Sequence, residues 1–481
     1  MKRIIIVFLL CTLLFACVPT PEKEFIVNKG DDAAWQSASE QGSLSETNNI
    51  EQSISIENNT TYESVLYERI DAPRTWTLDE TKGKVRIVCN DSPVILPTAN
   101  RVPAVEAKRR SFTQEDVETV ASAFFQSQQL SWYPYGIQTK EAIAERIRFY
   151  QELLPSAEDQ AHADYWMEQI QLLTDSYSNA LSQDDIPQIA LKLDSSSGTY
   201  QGLRAWTMID GERWNIMVDQ NYGKQRIVIS TGKDGTVEYD GNPIVDSPYH
   251  VELSKEDAIK QANTLVASIS NDYSLCFCGP SCAYFAQEND ITRNWGWGMV
   301  YMRCINNFPS AFSSKEPGDR GEVTDMPPYE RIFVVIDDQG FIYFEWQTPM
   351  EITHILSTDE TLLSFNDASS NAKNMIASHW TYNIDRDPYG YVRIDKVKLG
   401  LCRIAKKGGD YYYVPAYYFF TDFVASEEYK SQYYVDETHN DDRIVMEAFN
   451  GYVDPLGFYD EYNVIVINAL DGTLIDLANG Y

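Results

Sequence analysis

Apolar positions follow a helical period in two stretches of the N-terminal half. The first begins with a capping pattern at Thr113–Asp116, and the second covers residues 139–154. In both, apolar residues recur at the spacing of one buried helix face. A third helix is predicted over residues 157–180, where Glu and Gln are frequent. The pattern predicts a helical insertion or hairpin over residues 111–182.

Strand patterns surround this helical segment. Residues 62–110 are expected to be rich in strands, since Lys84–Val88 alternates between polar and apolar side chains, and Pro93, Pro97 and Pro103 interrupt the region. Because proline cannot donate to a strand ladder, short strands are expected there. Further on, Asp210-Gly211 and Lys233–Gly235 each separate two strand-like runs, which predicts two hairpins.

After residue 250 the same order of elements occurs twice. Ser254 caps a predicted helix to about Ser268, and Ser364 caps another to about Ala377. Each helix is followed by strands and by an acidic turn with glycine, at Gly340 and at Gly472. A helix across an antiparallel sheet buries one face of each element.

The expected fold class is therefore α+β, with antiparallel sheets each packed by a helix. The predicted domains are an N-terminal α+β domain over residues 62–245, a first repeated unit over 251–350 and a second over 360–481.

Net charge excludes one class of partner. The chain has 481 residues and a formal net charge of −32. Nucleic acid is not an expected partner, since binding phosphate requires a basic face.

The N-terminus has the pattern of a secretory signal. Lys2 and Arg3 precede the apolar run Ile4–Phe15, which is too short to span a bilayer and has the length of a signal-peptide core. Leu14–Cys17 resembles a bacterial lipobox, so residues 1–16 are predicted to be removed and Cys17 to be lipidated. An ordinary secretory signal with a chance cysteine is the alternative. The expected location is the outer face of the bacterial cell membrane.

The segment after Cys17 is poor in apolar residues. Residues 37–61 consist mainly of Ser, Asn, Thr, Glu and Gln. Such a composition cannot bury enough apolar area to offset the entropy lost on ordering. Residues 17–61 are therefore predicted to be the lipidated cysteine and a flexible tether.

Three resemblances follow from short motifs. The repeated units resemble PepSY-type and cystatin-like modules, through S-K-E-D-A-I-K-Q-A at 254–262 and strand pairs that end at residues 344 and 476. Nearly the whole chain resembles an uncharacterised lipoprotein family of Gram-positive anaerobes, a domain of unknown function that implies no activity. The segments that carry this second resemblance are 16–24, 344–352, 394–400 and 466–476. A fainter similarity, at V-P-A-Y (414–417), is to extracytoplasmic regulators of the cell-wall two-component system.

Motifs of common enzymes are missing from the sequence. It contains no G-x-S-x-G, no phosphate-binding G-x-x-x-x-G-K-[ST], no G-x-G-x-x-G and no H-E-x-x-H. The five histidines are scattered. His162 is interpreted as one half of a surface pair with Glu158, and His379 as a cap at a helix end. No catalytic residue and no cofactor are expected.

The cysteines form the one unusual cluster. Cys276, Cys278 and Cys282 lie close together, and Cys304 lies on the following strand. Disulfides, free thiols and a metal site are all open interpretations, and the oxidising compartment favours disulfides.

Two other patterns invite a ligand. Asp385–Gly390 begins like a calcium loop but is interpreted as a turn, since Lys396 stands where a bidentate glutamate belongs. Trp295-Gly296-Trp297 and the tyrosines at 411–413 and 417–418 could stack on sugars, but strand aromatics usually pack in a core.

Three hypotheses follow for function. The first is a lipid-anchored, non-catalytic binding or regulatory protein that is attached to the membrane through Cys17 and recognises an unknown protein or glycan. The second is a surface glycan-binding component, which needs an exposed aromatic platform. The third is a hydrolase of unrecognised type, which needs a pocket of converging polar groups.

Overall fold

A computed structural model gives the fold. It describes residues 62–126, 128–137, 139–157, 159–193, 202–220, 225–231, 237–240, 251–287, 290–310, 327–406, 409–429 and 463–477, with 62–64, 183, 237–240, 280–287, 290–295 and 463 described by their backbone alone. The predicted signal peptide, Cys17 and the predicted tether lie outside these residues.

The helices with complete bounds are α1 (Tyr62–Arg69), α2 (Gln114–Phe124), α3 (Lys140–Leu153), α4 (Gln160–Tyr177), α5 (Lys255–Ile269) and α6 (Phe365–Arg386). The strands are β1 (Thr75–Lys82), β2 (Val85–Ile95), β3 (Ala104–Arg109), β4 (Tyr133–Pro134), β5 (Gly202–Ile209), β6 (Glu212–Gln220), β7 (Gln225–Thr231), β8 (Val237–Asp240), β9 (Tyr273–Gln287), β10 (Asp290–Ile305), β11 (Phe308–Pro309), β12 (Arg331–Asp337), β13 (Gly340–Gln347), β14 (Met350–Ser357), β15 (Tyr391–Ala405), β16 (Tyr411–Val424), β17 (Asn463–Asn468) and β18 (Leu474–Ile475).

The strands form two sheets, which makes the fold α+β as expected. A ten-stranded sheet has the order β4-β5-β6-β7-β13-β12-β10-β9-β8, with β11 paired to β10, and its paired strands are antiparallel. An eight-stranded sheet has the order β1-β2-β15-β16-β17-β18, and β3 joins β14 to β16. Its β2–β15 pair is parallel.

The two sheets pack face to face between outer helices. One core lies between α2, α5 and the ten-stranded sheet, and another lies between α6 and the eight-stranded sheet. A third core joins the inner faces of both sheets, with Phe333 from one and Phe420 from the other. The order of layers is therefore helix, sheet, sheet, helix, and both sheets are buried on two faces.

Local sequence explains where the helices begin. Thr113 and Asp116 form a reciprocal capping box at α2, while the hydroxyls of Ser254 and Ser364 accept from the backbone N–H three residues on. These side chains satisfy amide groups that a helix start leaves unpaired. The three predicted helix starts are confirmed.

One predicted hairpin is confirmed and the other is wrong. Asp210 and Gly211 have φ of 52° and 87° and connect β5 to β6, as the Asp-Gly pattern predicts. The second hairpin was expected to pair β7 with β8 around Lys233–Gly235, residues that lie outside the described part of the chain. In the structure β7 pairs with β6 and with β13, so both of its edges are occupied. β8 pairs with β9 instead.

The strands of residues 62–245 do not form a sheet of their own, contrary to the expected N-terminal domain. β1, β2 and β3 join the eight-stranded sheet, while β5, β6 and β7 join the ten-stranded sheet. Pairs such as Tyr343 with Ser230 satisfy strand edges across more than a hundred residues. Backbone pairing therefore crosses the predicted boundary.

Other local predictions also differ from the structure. α1 and β9 occur where no helix and no strand was expected. Pro93 lies inside β2 and does not interrupt it, because a register shift near Asp91 (φ 53°) relaxes the strand ladder there. α6 continues nine residues beyond Ala377, since Trp380 and Ile384 extend its buried face.

The predicted helical segment divides into two parts. α2 packs on the ten-stranded sheet, whereas α3 and α4 pair with each other as a helical arm, residues 139–181. The arm begins and ends at adjacent points, since Thr139 and Leu181 form a β-bridge and the N–H of Lys140 donates to the carbonyl of Leu181 (2.9 Å).

Candidate functional site

A groove runs between α2 and α5 on the outer face of the ten-stranded sheet. Its volume is about 1190 Å³. The two helices lie side by side because each buries an apolar face on the same sheet, with Val117 and Val120 from α2 and Ala258 and Ala262 from α5. The groove is the space above the sheet between the polar sides of these two helices.

The floor of the groove is apolar and its walls are polar. Phe124, Leu265 and Phe341 form much of the floor, and the first two are buried. The walls carry carboxylates, hydroxyls, amides and one ammonium group. These wall residues are Glu118, Thr119, Ser122, Gln126, Asp257, Lys260, Gln261, Thr264 and Ser268.

Hydrogen bonds within the helices determine what the walls can offer a ligand. The hydroxyl of Thr264 donates to the carbonyl of Lys260 (2.9 Å), and that of Ser268 donates to the carbonyl of Leu265 (2.6 Å). Their oxygens can still accept, as can the carboxylates of Glu118 and Asp257. The groove is therefore rich in acceptors, which suits a ligand that presents N–H donors above an apolar side.

Nothing in the sequence predicts this groove. The only local signals are the polar faces of two amphipathic helices, which are ordinary for surface helices. Neither helix contains a motif that predicts the other as its neighbour. None of the described histidines (His162, His354 and His379) lines the groove.

The structure separates two of the cysteines that the sequence placed in one cluster. None of the described cysteines, Cys89, Cys276, Cys278, Cys304 and Cys402, is part of a disulfide. The register of β9 against β10 shifts between Val300 and Tyr301, so Cys276 lies in a β-bulge. The regular alternation of side chains between the two faces of β9 is therefore broken at Cys276.

The bulge has a consequence for the predicted disulfide or metal site. Cys276 packs in the core between the sheets, while Cys278 packs in the core beneath the helices. The two thiols therefore lie on opposite faces and cannot share one metal or disulfide, which corrects the prediction for this pair, whereas Cys304 lies close enough to Cys276 to raise its pKa. The side chain of Cys282 lies outside the description, and the described residues contain no group of three or more metal-ligating side chains.

The thiols are also poor nucleophiles. Burial raises the pKa of Cys276 and of Cys402 to about 11, and that of Cys89 to about 12. Burial raises the pKa of Cys304 as well. Because thiolates react and bind metals far better than thiols do, these side chains are inert at neutral pH.

A buried ion pair lies where the chain crosses between the sheets. Arg303 of β10 pairs with Glu330, and the side chain of Glu330 is fully buried. Glu330 also accepts from the Tyr273 hydroxyl (2.8 Å) and from the N–H of Met350 (2.9 Å), the first residue of β14. Burial and the neighbouring carboxylate raise the pKa of Tyr273. These contacts fasten the crossing from β13 to β14, so we assign the cluster a structural role.

The segment that begins like a calcium loop, Asp385–Gly390, is the end of α6 and the turn after it. The carboxylate of Asp387 accepts from the N–H of Ser426 (2.6 Å), from its hydroxyl (2.7 Å) and from the N–H of Tyr389 (3.3 Å). Burial alone would raise the pKa of this carboxyl, but the hydrogen bonds hold it below its usual range. Because the oxygens of Asp387 already accept from N–H and O–H donors, this side chain stabilises the turn after α6, and the segment is a turn as the sequence interpretation expected.

The histidines have ordinary surroundings. The Nδ1 atom of His162 lies 3.0 Å from Asp159 on an exposed surface. His379 is exposed and lies inside α6, seven residues before its end. It is therefore not a helix cap, which corrects that interpretation. His250 and His439 lie outside the described residues.

The aromatic residues considered for sugar stacking are core residues where they are described. Trp297 and the tyrosines at 411–413 and 417–418 are all buried. The rings of Tyr411 and Tyr329 enclose the guanidinium of Arg403, at 4.9 and 4.6 Å. The side chain of Trp295 is outside the description.

Comparison with known proteins assigns no family. No protein-family model matches the chain, and no curated protein matches it. Among solved structures, the chain is similar to an uncharacterized protein from Eubacterium rectale ATCC 33656, with 11% identity and a TM-score of 0.40 over 87% of this chain and 99% of that chain. A likeness of this degree supports neither a family nor a function. In the described part of the chain, no helix is both long enough and apolar enough to cross a bilayer.

Proposed function

We propose that the protein is a lipid-anchored, non-catalytic binding protein on the outer face of the cell membrane, and that its ligand is an extended peptide segment. The observation that carries the proposal is the acceptor-rich groove between α2 and α5. Backbone N–H groups of a peptide match such acceptors, and its apolar side chains match the floor at Phe124 and Leu265.

The groove can be tested by filling it. Ser122 is exposed on the wall of the groove, and Ser378 is exposed on α6, far along the chain. In a peptide library displayed on phage, Ser122→Trp should remove enrichment of the peptides that the parent protein selects, whereas Ser378→Trp should leave it intact. Equal enrichment with both variants would show that the groove is not the ligand site.

The anchor is a separate part of the proposal. The lipobox at Leu14–Cys17 supports it. Mass spectrometry of the membrane fraction should find Cys17 as a diacylated N-terminal residue, and Cys17→Ala should release the protein from the membrane. An unmodified Cys17 in a secreted form would contradict the anchor but not the groove.

Glycan binding is the second candidate. One observation favours it, since Tyr382 and Tyr389 near the end of α6 expose 68% and 78% of their surface. Stacking on sugars requires such exposed rings. Binding to a glycan array that is lost in Tyr382→Ala and Tyr389→Ala, but not in Ser122→Trp, would support this candidate over the peptide ligand.

We also propose that residues 251–350 and 360–481 are related PepSY-like units. The order of elements supports this, because α5 precedes β9, β10, β12 and β13, and α6 precedes β15 to β18. An experimental structure in which the two units do not superpose would contradict it.

A further inference from the structure

Exposed apolar side chains are concentrated around the helical arm. Of the thirteen large apolar side chains exposed in the described residues, seven lie between residues 135 and 181. They are Tyr135, Ile137, Tyr165, Met167, Leu172, Tyr177 and Leu181. Scattered apolar residues need no explanation, but a concentration of them marks an interaction surface.

The arm cannot bury these residues itself. Its own core contains three buried side chains, Ile143, Tyr150 and Leu173. Trp166 and Ile170 of α4 pack against them from one side of the helix. At about 100° per residue, Tyr165, Met167 and Leu172 lie on the other side. These three expose 52%, 47% and 53% of their surface.

Carboxylates run between these apolar residues. Around the helix axis, Asp164, Glu168 and Asp175 fall between Met167 on one edge and Leu172 on the other, within an arc of about 140°. All three are exposed, and α4 contains no lysine or arginine. Asp164 and Asp175 each accept from a glutamine amide, of Gln160 and Gln171, at 2.8 Å. We call this surface, Asp164, Tyr165, Met167, Glu168, Leu172 and Asp175, the outward face of α4.

We propose that the outward face of α4 docks a basic amphipathic segment of another protein. Charge complementarity decides the occupant. An anionic membrane and a second copy of this chain, which has a net charge of −32, would both be repelled by the three carboxylates. A partner helix with lysines flanked by leucines would pair with the carboxylates and cover the apolar edges.

The test uses two synthetic 18-residue peptides, one helical with leucine and lysine and one with leucine and glutamate. Binding to the chain from residue 18 onward is measured by fluorescence anisotropy. The lysine peptide should bind, and its affinity should fall as salt rises, whereas the glutamate peptide should not bind. Tyr165→Ser combined with Leu172→Ser should weaken binding of the lysine peptide at least about tenfold.

A matched pair of charge variants separates the site from bulk electrostatics. Asp164→Asn, Glu168→Gln and Asp175→Asn together remove three charges from the outward face. The control, Glu68→Gln, Glu212→Gln and Glu256→Gln, removes three exposed charges elsewhere. The first variant should weaken binding at least about tenfold and the control less than about twofold. Equal losses would overturn the proposal.

Two other results would overturn it as well. Binding of the protein to vesicles of anionic phospholipid that is lost in the Tyr165 and Leu172 variant would identify a membrane as the occupant. A dimer in analytical ultracentrifugation that the same variant dissociates would identify a second copy. The groove variant Ser122→Trp should bind the lysine peptide normally, so failure of this proposal and of the peptide groove are distinguishable. All substituted positions are exposed, and circular dichroism confirms that each variant is folded.

Discussion

The two longest helices of the described chain, α6 and α4, differ in what they touch. α6 has 22 residues and buries seven of them against the eight-stranded sheet. α4 has 18 residues and buries one, Leu173, against its partner helix. A helix on a sheet shares a core with the rest of the protein, whereas a helix of the arm has a small core of its own. The two sheets with α1, α2, α5 and α6, which we call the body, should therefore determine global stability, and the arm should be free to serve binding.

The largest effect is expected inside the body, at the sheet crossing. Glu330→Gln leaves the buried Arg303 with only the exposed carboxylate of Asp272, at 3.5 Å, as a counter-ion, which should reduce the free energy of unfolding by about 3 kcal/mol. Urea unfolding followed by circular dichroism measures this. Arg303→Met combined with Glu330→Leu is the control, since an apolar pair should recover much of the loss. If the single variant is as stable as the parent, the cluster does not hold the crossing.

A direct comparison of the two helices uses one truncation in each. Ile376 of α6 is fully buried, so Ile376→Ala should cost about 3 kcal/mol of global stability. Leu173→Ala should instead open the arm locally and leave the urea midpoint of the body nearly unchanged. Hydrogen exchange of amides in residues 140–177 should rise in the Leu173 variant alone. If the urea midpoint fell equally in the Ile376 and Leu173 variants, the arm and the body would unfold as one unit.

Low pH should destabilise the body by protonating Asp387 at the end of α6. Hydrogen bonds hold the pKa of Asp387 below its ordinary value of 3.8. A lowered pKa in the folded state contributes stability that is present above the unfolded pKa and is lost as pH falls through the folded value. Asp387→Asn should therefore cost about 2 kcal/mol at pH 7 and progressively less as pH falls below about 4.

The arm supplies the control for this pH dependence. A hydrogen bond from the N–H of His162 likewise lowers the pKa of Asp159, which is exposed at the start of α4. Asparagine caps a helix as well as aspartate does. Asp159→Asn should therefore leave global unfolding unchanged at both pH values. A difference between parent and Asp387→Asn that does not vary with pH would contradict the prediction for α6.

Excision of the arm should have the smallest effect on the body. Because Thr139 and Leu181 are neighbours in a β-bridge, a short Gly-Ser linker can replace residues 140–180. The body should then lose less than about 1 kcal/mol, since no large core crosses the junction. Thermal unfolding checks this, and loss of the body's cooperative transition would show that the arm is a structural part of it.

The sequence predicted the features of the fold that depend on residues close together in the chain, and it missed those that depend on distant residues. The helix starts at Thr113, Ser254 and Ser364 and the turn at Asp210-Gly211 were predictable, since each depends on side chains within four residues. The end of α6 was not, because the buried face that prolongs it exists only where the sheet covers it.

The candidate site was less predictable than the elements that build it. Amphipathicity predicted α2 and α5 but not that they border a common groove. The cysteine cluster failed for a similar reason. Spacing alone placed Cys276 and Cys278 together, and only the β-bulge that forms on pairing with β10 turns them to opposite faces.

The amino-acid sequence by itself determined the elements with local causes: capped helices, tight turns, a strongly acidic chain and the pattern of a lipidated N-terminus. Only the tertiary structure decided which strands pair, so that β1–β3 join β15 and β16 while β5–β7 join β13. The physical reason is that the backbone of any strand edge can pair with that of any other strand. Which strands pair depends on how well both sheets become buried against each other and against α2, α5 and α6. That burial involves residues far apart in the chain, so no short stretch of sequence predicts it.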